Sequence, residues 1–172
     1  QFERASYDDL DTIQRDIDDL MDEITKIREE VARMDREIDT IIDRGNIRDD
    51  IVNTVEDVAR RATLTPGVVN YSLIDEALDV FRYDEAVVGK VAGIRGTHHS
   101  RSAARAHIEA VVARNQKNQE IPEAEAAIRQ RVNESTEVER LVAETTPGST
   151  LRNSYVLNPT KLRDYLVAQW GQ

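Results

Sequence analysis

The sequence has 172 residues, 40% of them hydrophobic and 33% charged, which suffices for one core of ordinary size and makes two full domains crowded. The absence of cysteine excludes disulfides, thiolate metal sites and cysteine nucleophiles. No run approaches the roughly eighteen apolar residues of a membrane span, and no signal-peptide pattern is visible, so a cytoplasmic chain without a membrane partner is expected. The net charge of −10 is uneven: residues 1–44 carry 7 basic and 15 acidic side chains, residues 45–172 carry 16 and 18. An acidic N-terminal segment repels nucleic acid and anionic membranes, and favours a basic protein partner.

In chain order, Leu10, Ile13, Ile17, Leu20, Ile24, Ile27, Val31, Met34, Ile38 and Ile41 follow one another at alternating steps of three and four. They form an unbroken heptad seam and predict one long helix, opened by Ser6 with Asp9 and stopped by Gly45-Asn46. At 1.5 Å per residue the helix is roughly 50 Å long. Leaving so many large aliphatic side chains in water forfeits about 1.5–3 kcal/mol each, so another helix must cover the stripe. That cover is either a second copy of the chain or a later helix. Ile47, Ile51, Val55, Val58 and Ala62 mark a second helix able to fold back on residues 27–44, but too short to reach residues 6–26 as well. Self-association through the seam is therefore the expectation, with residues 1–44 as a coiled-coil arm and 45–172 as a mostly helical domain. The flanking g positions Asp9, Asp16, Glu23, Glu30 and Glu37 are all acidic, and Ile at d disfavours a parallel dimer.

After a Thr65-Pro66-Gly67 turn, short helices with their own start signals are expected. Ser72 with Asp75 opens one through Phe81, a second runs from about Asp84 to Gly96, and Ser100 caps a longer one to about Gln116. Pro122 sits at the start of a helix over 122–133, an Asn133-Glu134-Ser135 turn follows, and Thr136 with Glu139 opens another over 136–144. A possible strand at 143–146, a Pro147-Gly148 turn and an alternating strand at 150–157 suggest one small β-hairpin before a last helix. The fold class is thus all-α or nearly so.

The order of elements over residues 120–172 resembles the winged helix-turn-helix family. That resemblance implies a recognition helix at 136–144 and a wing at the hairpin. The helix departs from a groove reader, carrying Glu137, Glu139 and Glu144 against Arg140, and the wing offers only Arg152. Between residues 90 and 117 the charge reverses, with Lys90, Arg95, Arg101, Arg105, Arg114 and Lys117 against Glu109. Lys90, Arg95, Arg101, Arg105, Arg140 and Arg152 are therefore the candidates for binding an anion or an acidic partner, although long basic side chains beside an apolar stripe also serve to cover it. His98, His99 and His107 lack the spacing of a metal site, which leaves loop roles for the first two and a core-edge role for His107. No catalytic, cofactor or metal-binding frame appears, and none of these is expected. The function that follows is a non-enzymatic, oligomeric coiled-coil interaction or assembly protein presenting its helical domain to a protein partner. The alternative is a multimeric DNA-binding transcriptional regulator using the C-terminal unit.

Overall fold

The computed structural model describes residues 7–84 and 94–145, with side chains at 9–84 and 94–140. Among the described residues five helices account for the regular structure: α1 Tyr7–Gly45, α2 Asp49–Ala62, α3 Tyr71–Val80, α4 Arg101–Asn118 and α5 Glu120–Thr145. There is no strand among the described residues, so this part of the chain is all-α; one parallel bridge joins Ile47 to Gly96. The 39 residues of α1 span about 58 Å.

The end of α1 shows how the local sequence sets the path. Asn46 adopts the left-handed conformation with φ 49°. Its N–H donates to the Asp43 carbonyl and that of Ile47 to the Ile42 carbonyl, the paired bonds that close a helix C-terminus. Asparagine tolerates this conformation better than most non-glycine residues. Gly45 serves a different purpose, since a Cβ there would lie 2.8 Å from Ile47 Cδ1. The glycine makes room for Ile47, which is buried.

The described residues fall into two compact units, one within Lys26–Ile121 and the other within Gln1–Thr25 and Pro122–Gln172. Residues 1–44, set apart in the sequence as an arm, contribute to both. In the first unit, Val55 and Ala59 of α2, Ile74 and Leu78 of α3, and Ala104, Ile108 and Val111 of α4 share one core with Ile38 of α1. Helix α2, read from the sequence as able to fold back on residues 27–44, shares this core with Ile38. Ser100 caps α4, accepting from Ala103 N–H at 3.1 Å, as its position predicts. Asn70, not Ser72, caps α3, accepting from Leu73 N–H at 3.1 Å. Residues 81–84 are not helical and 94–96 lead into the bridge; the rest of the helix expected over 84–96 lies outside the described residues.

In the second unit, Leu10, Ile13, Ile17 and Ile24 of α1 are buried, as are Ala124, Ile128, Val132, Ser135 and Val138 of α5. Asp16 pairs with Arg131, while Asp9 to Ile13 lie beside Glu134 to Val138, so the two helices run antiparallel. The expected turn at Asn133-Glu134-Ser135 is absent: α5 passes through it without a break and also contains residues 143–145, where a strand was possible. Burial of Val132, Ser135 and Val138 on one face outweighs the weak helix propensity of Asn133 and Ser135. The turn expected at Pro147-Gly148, the strand expected at 150–157 and the last expected helix lie outside the described residues.

Candidate functional site

The seam has a consequence for assembly. Leu10, Ile13, Ile17, Ile24, Ile27 and Ile38 are each no more than 5% exposed in a single chain, and Leu20, Val31, Met34 and Ile41 are half-buried. A second copy is required at the seam only if residues 6–26 have no other cover. In the same unit, the face of α5 carrying Ala124, Ile128, Val132 and Val138 offers such cover within one chain.

The basic stretch is largely consumed within the chain. On α4, Arg101 pairs with Asp79 at 2.5 Å and Arg105 with Asp75, one turn apart on α3. Arg95 pairs with Asp49 at the start of α2, and Lys117 with Glu120 at 3.2 Å. Arg114 reaches Asp35 of α1 at 3.2 Å and Glu56 of α2 at 2.6 Å. Burial works against the charge of Arg114, and the two carboxylates outweigh it, so its pKa is raised. Arg140 pairs with Glu137 on its own helix. Of the candidate anion-binding residues, Arg95, Arg101 and Arg105 thus stand together in one unit, Arg140 belongs to the other, and Lys90 and Arg152 lie outside the described residues.

His98 and His107 form a site that the sequence did not reveal. His98 is 3% and His107 0% exposed, and His98 Nε2 stands 2.9 Å from His107 Nδ1, so one imidazole donates to the other. Phe81 stacks on His98 with ring centroids 6.3 Å apart. His107 Nε2 has no hydrogen-bond partner among the described residues. Desolvation lowers the His107 pKa from 6.5 to about 4, so the ring is neutral at pH 7. The pair ties the segment before α4 to the helix itself. His107 was legible as an edge of the apolar face, but nothing in the spacing brings His98 inward. No group of three or more metal-ligating side chains occurs among the described residues.

Two surface features remain. At the α2–α3 turn, Leu64 is 70%, Val68 57% and Tyr71 58% exposed, three large side chains within eight residues. Beside Leu64, a cleft of about 640 Å³ lies between α2, from Asn53 onward, and the C-terminal half of α4. Two of its charged pairs are internal, Glu56 with Arg114 and Asp57 with Arg60. Neutral polar groups at helix surfaces read in a sequence as a solvated face, so the cleft left no signal there. No described helix is long and apolar enough to cross a membrane. Comparison with protein-family models, curated proteins and solved structures finds no match to this chain.

Proposed function

We propose that this chain is a non-enzymatic helical interaction protein that docks a protein partner through the unit Lys26–Ile121. The observation that carries the reading is the exposure of Leu64, Val68 and Tyr71 around one turn, where a folded chain gains nothing from keeping large apolar groups in water. Aromatic and aliphatic side chains of this kind are the usual anchors of a protein interface. The remaining polar chemistry is largely structural: the arginines of α4 hold α3, and the buried imidazole pair holds the segment before α4. A cytoplasmic setting belongs to this reading.

The test places a photoreactive phenylalanine analogue at Val68, and in a control chain at the exposed Asp39, in cells that make the protein. A discrete heavier adduct at position 68, missing at position 39 and lost on Leu64→Ser, is the expected result. Equal labelling at both positions overturns the reading. The rival, duplex DNA binding through Arg101, Arg105, Arg140 and Arg152, needs guanidinium groups turned to phosphate; Arg101 and Arg105 are instead engaged by Asp79 and Asp75.

A further inference from the structure

We propose that the cleft between α2 and α4 binds an extended peptide segment of the partner by its backbone, with the carboxamides of Asn53 and Asn118 pairing to peptide groups. The proposal rests on the docking reading above and names the chemistry of one part of that surface. Three observations carry it.

The first is charge. The ionised groups among the cleft residues cancel in pairs, Glu56 with Arg114 and Asp57 with Arg60. With no net charge and its guanidinium groups already held by carboxylates, the cleft has no preference for phosphate, for a carboxylate ligand or for a cation. A neutral, hydrogen-bonding ligand is what remains.

The second is the supply of unspent polar groups. Asn53 on α2 and Asn118 at the end of α4 line opposite helices of the cleft, are exposed, and make no side-chain hydrogen bond to any described residue. Asn115 spends only its oxygen, which accepts from Arg114 at 2.9 Å. Gln119 donates its amino group to the Thr63 carbonyl at 2.5 Å, which leaves its buried oxygen without a donor. A carboxamide offers one acceptor and two donor hydrogens, the complement of a peptide unit's N–H and C=O. Carboxamides from two helices facing one cleft suit a ligand that repeats that unit.

The third is the rim. Leu64 lines the cleft and is 70% exposed, a shelf for an apolar side chain of the ligand. No aromatic residue lines the cleft, so it has no platform for stacking a sugar ring or a base. A helix as ligand buries its own backbone groups and has none to offer the asparagines, so the ligand is extended.

The test uses the full chain and a phage library of random twelve-residue peptides. Peptides recovered from the library are synthesised and titrated calorimetrically against the wild type and Asn53→Ala/Asn118→Ala, whose substitutions lie at exposed helix positions and keep the helical circular dichroism. Affinity is expected to fall by about tenfold or more, the worth of two ordinary hydrogen bonds. The same peptide carrying N-methyl groups on its central amides is expected to lose binding with its side chains intact. Unchanged affinity on the double variant, or tolerance of N-methylation, overturns the cleft proposal; if Leu64→Ser still abolishes binding, partner docking stands without it. Recovery of no peptide while cross-linking at Val68 persists also overturns the cleft proposal alone. Loss of both overturns the two together.

Discussion

Acidification tests the buried imidazole pair. In the unfolded chain His107 titrates near 6.5; in the folded chain desolvation holds it at about 4. The folded pKa lies below the unfolded one, so on lowering the pH the unfolded chain takes the proton first and the native state loses ground. Stability is complete above about pH 7, declines through the window from 6.5 to 4, and declines no further on this account below it. The full effect is about 3 kcal/mol from the size of the shift, of which about 2 kcal/mol is expressed between pH 7.5 and pH 5, before most carboxylates titrate. His107→Asn keeps a polar atom near the Nδ1 position for His98 and removes the titrating ring. Urea unfolding of both proteins at the two pH values isolates the contribution: the wild type loses about 2 kcal/mol more than the variant. An equal loss in both proteins refutes the reasoning, because some other group would then carry the acid sensitivity.

Four further perturbations read the packing directly. Ser135→Ala removes a fully buried hydroxyl that has no partner among the described residues, and raises unfolding free energy by about 1–2 kcal/mol in urea titration. Gly45→Ala puts a methyl group 2.8 Å from Ile47 Cδ1 and lowers the melting temperature, with a cost of about 1–3 kcal/mol. Arg114→Gln strips both Asp35 and Glu56 of their shared partner and costs about 1–3 kcal/mol, a loss that 1 M salt reduces only partly because Arg114 is mostly buried. Ile17→Ala empties a fully buried site and costs about 2–5 kcal/mol, with no change in absolute mass by light scattering; a change in mass shows instead that Ile17 belongs to an interface between copies.

Regular spacing made much of the fold legible. The seam of α1, the apolar stripe of α2 and the Ser100 cap of α4 each depend on residues close in sequence, and each appears where the spacing puts it. Local signals misled where tertiary contacts override them. Asn133 and Ser135 favour a turn locally, and Thr136 with Glu139 imitates a helix start, yet Val132, Ser135 and Val138 lie on one buried face and keep α5 whole. As one unbroken helix, α5 is long enough to lie along residues 9–25, a cover that two short helices do not suggest. The candidate site was less legible still. Burial of His98 and the presence of Asn53 and Asn118 in one cleft depend on how distant segments meet, and no local period encodes that.

The charge blocks in the sequence also describe the surface poorly, because the fold sets them against one another. Arg101 and Arg105 look like a basic patch until Asp79 and Asp75 are placed beside them, and Arg114 draws an acid from α1 and another from α2. With these pairs formed, the two features proposed for docking on the unit Lys26–Ile121, the exposed turn and the carboxamide-lined cleft, present uncharged groups. Screening by salt acts on charges, so binding through such groups changes little with ionic strength. Binding to duplex DNA through arginines falls steeply with salt, because each neutralised phosphate releases counterions. The salt dependence of binding therefore separates the two readings whatever the partner's identity. A flat dependence fits the apolar turn and the carboxamide cleft, and a steep one requires that Arg101 and Arg105 leave the aspartates of α3.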